Sequence, residues 1–295
     1  MVLLAVLLFL LQVAPPPEEP LEQARRALEM GHPREALDLL RDYYAQSKPP
    51  SAFYILRGAA YQRLGDLEKA QRDFRRAVEM DPRDGRAHYL LAVVHQAQGK
   101  LLAARESLER AAALRPEEPP IAAALGTVLH QLGFYGQAVE AFLKARASGG
   151  GSLRLDTLDR LDRALALAYM RDGKFDRAIE IFQGLPGTGE DRAAVLAYLG
   201  YCHLNIGQFE KAKGELQQAV LLDPSHGFAR FQLGAALAKL GEREEAIRNL
   251  TRALEDPAVG AEAHLELGLI LGSTEQVDSA IEHCLKSIEL RPHLA

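Results

Sequence analysis

Residues 193–226 read AAVLAYLGYCHLNIGQFEKAKGELQQAVLLDPSH, and this stretch of 34 residues decides the fold. Ala and Leu dominate its apolar part, and both are strong helix formers. Gly207 divides the stretch into two halves, and Pro224 closes it. Glycine supplies the permissive backbone of a turn between two helices, and proline ends a helix. The stretch therefore predicts a helical hairpin.

Glycines with the spacing of Gly207 recur along the chain, 34 residues apart except for one gap of 40. They are Gly31, Gly65, Gly99, Gly133, Gly173, Gly207 and Gly241. With each glycine at position 15, repeats begin at residues 17, 51, 85, 119, 159, 193, 227 and 261, and residues 153–158 form an insertion. A period of 34 residues is typical of a helix-turn-helix solenoid, in which hairpins stack because one hairpin cannot bury its own apolar face.

Other positions follow the same register, because small residues let two helices approach closely. Position 20 is always alanine: Ala36, Ala70, Ala104, Ala138, Ala178, Ala212, Ala246 and Ala280. Position 8 is always small: Ala24, Gly58, Ala92, Gly126, Ala166, Gly200, Gly234 and Gly268. This pattern closely resembles the tetratricopeptide repeat (TPR) family. The resemblance implies an all-α fold, a right-handed superhelical solenoid of eight tandem helix-turn-helix repeats.

The array divides into two blocks of four repeats, at residues 17–152 and 159–295, with residues 153–158 as a joint. A glycine-rich stretch, Ser148–Ser152, precedes the joint and is typical of a flexible segment. The fifth repeat breaks early, at Gly184–Gly189, in a turn-rich loop. The last repeat shows no polar capping helix after it, which suggests oligomerisation or pairing through this end; a frayed end is the equal alternative.

The N-terminal segment, residues 1–16, needs a separate interpretation. Residues 2–13 are apolar except for Gln12, a run too short to span a bilayer comfortably but suited to a signal-peptide core. No Lys or Arg precedes the run, and Pro15 would obstruct cleavage after Ala14. We expect export or membrane association through residues 1–14, with a periplasmic or membrane-anchored location. The alternative is an apolar cap packed on the first repeat.

Composition and motifs argue against several classes of function. The net charge of −5 gives no electrostatic footprint for nucleic acid. Cys202 and Cys284 are far apart, which fits neither a disulfide framework nor a zinc site. His95 and His203 share position 11, which faces the hairpin interior, so we interpret them as core residues. No enzyme motif occurs. We therefore predict no catalytic residue, no metal, no cofactor and no small-molecule substrate.

The resemblance to the TPR family implies that positions 2, 5, 9, 12 and 13 of the first helices line a concave groove, which we call the first-helix face. The predicted partner-binding residues on it are Ile55, Arg63, Arg86, Tyr89, Gln96, His130, Arg160, Arg163, Met170, Arg171, Tyr201, Asn205, Phe228, Phe231 and Lys239. Aromatic residues with arginine are the usual composition of binding hot spots, and the charged members are all basic. The alternative is that the aromatic side chains pack between adjacent repeats.

These features predict a non-catalytic scaffold that binds a protein or peptide partner. The partner would carry apolar anchors with acidic side chains or a C-terminal carboxylate. The N-terminal segment favours a cell-envelope or membrane-associated assembly. The alternative function is a cytosolic regulatory or accessory subunit of an enzyme complex.

Overall fold

The computed structural model describes residues 19–46, 49–149, 155–187, 189–274 and 276–291. Within these ranges all sixteen regular elements are α-helices, which confirms the predicted fold class. The unit Met1–Ser152 contains α1 (Glu19–Glu29), α2 (Pro33–Gln46), α3 (Ser51–Arg63), α4 (Leu67–Met80), α5 (Gly85–Ala97), α6 (Leu101–Leu114), α7 (Pro119–Gln131) and α8 (Tyr135–Gly149). The unit Leu153–Ala295 contains α9 (Leu155–Arg171), α10 (Phe175–Gly184), α11 (Gly189–Asn205), α12 (Phe209–Leu222), α13 (Gly227–Lys239), α14 (Arg243–Ala253), α15 (Gly260–Gly272) and α16 (Val277–Leu290).

Within each unit the helices stack in the order of the chain. Each odd-numbered helix packs on the next to form a hairpin, and the second helix of a hairpin packs on the first helix of the following one. First helices also contact one another, namely α1 with α3, α3 with α5, α5 with α7, α11 with α13, and α13 with α15. The first helices therefore form one layer of each unit and the second helices form the other, with the core between them.

The turn glycines at position 15 are required for their backbone conformation and not for close packing. The φ angles of the seven glycines at position 15 lie between 73° and 83°, a region that L side chains rarely adopt. A Cβ built on any of them would meet nothing within 4 Å. Space is available at these turns, so the left-handed backbone alone explains the glycine.

The glycines at position 8 are required for space and not for an unusual backbone conformation. A Cβ on Gly58 would lie 2.7 Å from the Phe74 ring, and a Cβ on Gly200 would lie 2.4 Å from Leu216 Cγ. Phe74 and Leu216 stand at position 24 of the same repeats and are fully buried. A small residue in the first helix therefore makes room for a large one in the second, as the sequence pattern predicts.

The fifth repeat has a long first helix and a short second helix. Helix α9 has 17 residues, as α11 has, whereas α3, α5, α7 and α13 have 13; residues 155–158 of the predicted joint extend α9 by about one turn. Helix α10 ends early, at Gly184, and the extended residue Leu185 packs into the core at 5% exposure. Helix α10 thus ends at Gly184, the first residue of the predicted break, and residues 155–158 of the predicted joint belong to α9.

The N-terminal segment, residues 1–16, lies outside the described residues. Its interpretation as a signal, an anchor or a cap therefore stays a prediction. Among the helices of the described ranges, none combines the length and the apolar character that crossing a bilayer requires.

Substitution of Gly200 tests the packing rule. We expect Gly200→Ala to lower the free energy of unfolding by about 1–3 kcal/mol, because the new methyl group overpacks the Leu216 contact. Gly214→Ala is the matched control, because Gly214 lies in α12 with nothing within 4 Å of its Cβ position. It should raise stability by about 0.5–1 kcal/mol through helix propensity. Urea unfolding followed by circular dichroism measures the free energy of unfolding of both variants. Equal changes in this free energy would contradict the requirement for a small residue at position 8.

Candidate protein-binding face

The predicted first-helix face is distributed over both units, so each part is described separately. The exposed members are Arg63, Arg86, Arg160, Arg171, Asn205 and Lys239. The half-buried members are Ile55, Tyr89, Gln96, His130, Arg163, Tyr201, Phe228 and Phe231. Met170 is the one buried member. Partial burial keeps a side chain in place while part of its surface remains available to a ligand.

In the first unit, side chains of neighbouring hairpins bond to one another across the face. The Gln96 side-chain amide donates a hydrogen bond of 3.0 Å to Gln131 Oε1, which joins α5 to α7. The His130 ring packs edge-on against Tyr135, with ring centroids 5.3 Å apart. Gln96 and His130 therefore contribute to the internal order of the unit besides lining its face.

Arg63 also has a partner in the neighbouring hairpin, since its guanidinium donates to the backbone carbonyl of Leu28. Tyr89 is half-buried, and burial raises the pKa of its phenol above the usual value. Its hydroxyl therefore stays protonated at neutral pH and can donate a hydrogen bond. Arg86, which is exposed, follows the N-cap residue Asp84 of α5.

In the second unit, carboxylates lie beside Arg160 and Arg163. The Arg163 guanidinium donates to both carboxylate oxygens of Asp191, at 3.0 and 3.3 Å. A cavity of about 560 Å³ is lined by Asp156, Asp159, Arg160, Arg163, Pro186, Gly187 and Asp191. The charged residues at the five positions are all basic, but Asp191 at the start of α11, outside those positions, brings an acidic side chain to Arg163.

Met170, another member of the predicted set, lies inside the second unit. It is 5% exposed and belongs to the buried cluster that contains Ile179 and Phe182 of α10. A side chain in this place stabilises the α9–α10 hairpin and has almost no surface for a ligand. Position 12 of this repeat therefore belongs to the core.

The aromatic residues of the second unit form a connected row. The Phe228 ring centroid lies 5.9 Å from those of Tyr198 and Tyr201, and the Tyr201 centroid lies 6.1 Å from that of Phe175. Tyr201 and Phe228 thus pack between hairpins, as the alternative interpretation states, yet each keeps part of its surface exposed. Phe231 is half-buried in the same way against the next core cluster.

Exposed aliphatic side chains continue this row onto α15. Leu265 is 46% exposed and Leu269 is 60% exposed, at positions 5 and 9. Helix α16 carries a second apolar row, Val277, Ile281, Leu285 and Ile288, with exposures between 48% and 61%. Spacings of four, four and three residues on a helix are the signal that could have identified this row from sequence.

The two histidines at position 11 are core residues, as predicted. The Gln71 amide donates to His95 Nε2 at 3.3 Å, and burial lowers the pKa of His95. His203 Nδ1 lies 2.7 Å from Glu215 Oε2, and burial raises the pKa of Glu215. In the part of the chain that the structure describes, no three His, Cys, Asp or Glu side chains are grouped so that they could hold a metal ion.

Comparison with family models identifies the class of protein. A tetratricopeptide repeat model matches residues 55–119, 94–152, 123–194 and 231–295, and a second model with the same description matches residues 169–240. Together with the helical hairpins and their turn glycines, these matches show that the chain belongs to the tetratricopeptide repeat family.

Known proteins share the repeats at low identity. The chain is 26% identical to protein FlbA of Caulobacter vibrioides over 223 residues, which cover 73% of this chain and 36% of FlbA. It is 24% identical to TPR repeat-containing protein YpiA of Bacillus subtilis over 263 residues, which cover 87% of this chain and 60% of YpiA. The chain thus aligns with less than two thirds of the length of either relative.

Among solved structures, the crystal structure of the APC/C hetero-tetramer Cut9-Hcn1 is similar to this chain, with a TM-score of 0.58 and 20% identity. The match covers 88% of this chain and 50% of that chain. Likeness at this level of identity shows the fold alone.

The lowered pKa of His95 predicts a pH dependence of stability. The unfolded chain takes up a proton near pH 6.5, whereas folded His95 stays neutral to a lower pH, so stability falls as the pH drops below 6.5. We expect the urea midpoint of the wild type to fall more between pH 7.5 and pH 5 than that of His95→Gln. His32→Gln, which removes an imidazole that is 58% exposed, is the control for the loss of a histidine at the surface. Parallel curves for His95→Gln and the wild type would contradict this.

Proposed function

We propose that this protein is a non-catalytic scaffold that binds a protein partner on the first-helix face of its second unit. The supporting observation is the apolar row of Tyr201, Phe228, Phe231, Leu265 and Leu269. These residues lie on α11, α13 and α15, whose successive members contact each other. Extended exposed apolar patches mark interaction sites, and half-buried aromatic side chains are good anchors because packing already limits their freedom.

The polar residues beside this row indicate the chemistry of the partner. Arg171, Asn205 and Lys239 share position 13 of three successive repeats, and all three are exposed. The Asn205 amide donates to the Tyr201 carbonyl at 2.8 Å, so its orientation is fixed. Two cations and one amide along one edge favour a partner segment with acidic side chains or a terminal carboxylate beside its apolar anchors.

Arg160 and Arg163 have a smaller part in this proposal than the sequence pattern gave them. Their neighbours Asp156, Asp159 and Asp191 more than balance the two positive charges. An acidic ligand would have to displace Asp191 from Arg163, which costs the two hydrogen bonds between them. The proposal therefore rests on the apolar row and on the three exposed polar residues at position 13.

The cellular location of the scaffold depends on residues outside the described ranges. Export or membrane anchoring through residues 1–14 would place it in a cell-envelope assembly, whereas an intact cytosolic chain would fit an accessory subunit of an enzyme complex. Cell fractionation with N-terminal sequencing of the isolated protein separates the two, because cleavage removes the apolar segment.

Two exposed positions allow a direct test of the face. We expect Leu269→Asp and Lys239→Glu each to reduce recovery of the same partner about tenfold, which corresponds to about 1.4 kcal/mol of binding energy. Leu269→Asp places a charge in an apolar contact, and Lys239→Glu opposes an acidic ligand. The measurement is affinity purification of the full chain from its native host, followed by quantitative mass spectrometry.

The matched controls are Leu221→Asp and Lys144→Glu, at exposed positions of the second helices α12 and α8. Circular dichroism should show native helix content for all four variants, because each changed side chain is exposed. Partner recovery that is equal for face and control variants would refute binding at the first-helix face.

A further inference from the structure

Two histidine side chains face each other within the hairpin of α15 and α16. His264 lies on α15 and His283 on α16, and their Nδ1 atoms are 2.8 Å apart. A contact of this length between two ring nitrogens requires a proton or a metal ion between them, because the two lone pairs would otherwise repel each other. The pair can therefore share one proton, or it can ligate one metal ion.

The repeat fold does not require histidines at these two places. His264 and His283 stand at positions 4 and 23 of the eighth repeat, and no other repeat has histidine at both. The fourth repeat has Ala122 and Ala141 there, and both are buried. Packing between the two helices of a hairpin thus accepts small apolar residues at these positions, so the repeat pattern does not explain the pair of imidazoles.

The distance between the two Nδ1 atoms fits one class of metal ion. Imidazole nitrogens bind divalent transition metals at about 2.0 Å. Two ligands at that distance and at about 90° to each other lie about 2.8 Å apart, whereas the tetrahedral angle of zinc sites separates them by about 3.3 Å. The observed 2.8 Å matches the 90° arrangement, which is typical of copper(II) and nickel(II) with nitrogen and oxygen ligands.

A cavity beside the pair leaves room for an ion and its water ligands. It has a volume of about 380 Å³ and is lined by His264, Glu282, His283, Leu285, Lys286 and Glu289. Among the described residues, no third His, Cys, Asp or Glu is grouped with the two imidazoles so that it could hold the same ion, and water would therefore fill the remaining positions. The Glu282 and Glu289 carboxylates can accept hydrogen bonds from these waters. Lys286, which is paired with Glu289 at 2.7 Å, offsets part of their charge.

The cavity lies on a side of α16 that the stacking of hairpins does not use. Its α16 members stand at positions 22, 23, 25, 26 and 29. In α12, on which α13 packs, positions 25, 26 and 29 carry Gln217, Gln218 and Leu221, and all three are exposed. The same three positions are exposed in α4, α6 and α14, each of which contacts the first helix of a following hairpin. A hairpin that packed on α16 in this way would leave the cavity open.

We propose that His264 and His283 bind a divalent transition-metal ion that prefers ligand angles of 90°, of which copper(II) binds most tightly, through their Nδ1 atoms. The ion would take the place of the proton that the two rings otherwise share, and each ring would carry its own proton on Nε2. No metal site is predicted from the sequence, because the two histidines are 19 residues apart and belong to no motif of metal ligands. The cavity shares no residue with the first-helix face, so the site is independent of the proposed function.

Titration of the full chain with copper(II) tests the proposal. We expect isothermal titration calorimetry at pH 7.5 to show one site at least tenfold tighter than any other. Electron paramagnetic resonance at one equivalent of copper(II) should show two nitrogen ligands. His264→Gln and His283→Gln should each weaken this site at least tenfold, because a single imidazole remains.

Two control variants separate this site from other copper(II) ligands of the chain. His32→Gln removes a single imidazole that is 58% exposed, and Cys284→Ser removes a thiol that does not line the cavity. Both should bind copper(II) like the wild type. Loss of the tight site in Cys284→Ser would assign the ion to the thiol, and a wild-type site no tighter than the one that both histidine variants retain would show an adventitious ion only. Either result would overturn the proposal.

Stability of the unmodified protein gives an independent measurement that does not depend on the folding of a variant. An ion that joins α15 to α16 binds the folded chain more tightly than the unfolded chain, so it raises the stability of the fold. We expect one equivalent of copper(II) to raise the urea midpoint of the wild type, and of His32→Gln by the same amount. An unchanged wild-type midpoint, or a resonance spectrum with a single nitrogen ligand, would overturn the proposal.

Discussion

The contact between positions 8 and 24 of each hairpin is the constraint on which the rest of the structure depends. Gly200 lets Leu216 approach so closely that even one added methyl group would overlap with it, and Gly58 does the same for Phe74. This contact sets the distance between the two helices of a hairpin. Neighbouring hairpins pack through the same two helices. The repeated contact therefore also determines the surface of each hairpin on which the next hairpin packs.

Stacking has two consequences for binding. It gathers the first helices into one layer, so residues far apart in sequence, such as Tyr201 and Leu269, belong to one face. It also covers the apolar side of each second helix with the first helix of the following hairpin, as α15 covers Ile247 of α14. Both surfaces are apolar for the same reason, since each corresponds to a side of a helix that the repeat pattern uses for contact.

The hairpins, their turns, the small contact residues and the core histidines follow from the sequence, because they depend on local chemistry repeated at a fixed interval. Two contacts lie outside what the repeat register predicts. Met170 is buried in the core of a hairpin whose second helix is short, and Arg163 pairs with Asp191, which lies in α11 ahead of the sixth repeat. Neither contact follows from positions counted within a regular repeat.

The sequence by itself thus determined the fold class and the family of this protein, because glycine conformation and side-chain size leave one compatible arrangement at each repeated position. The tertiary structure decided which side chains remain available for binding. Exposure depends on neighbours in other helices, such as the α15 residues of the following hairpin that cover Ile247. The 34-residue period determines which positions are in contact within the array. The exposure of each side chain depends on which helices surround it in the folded chain.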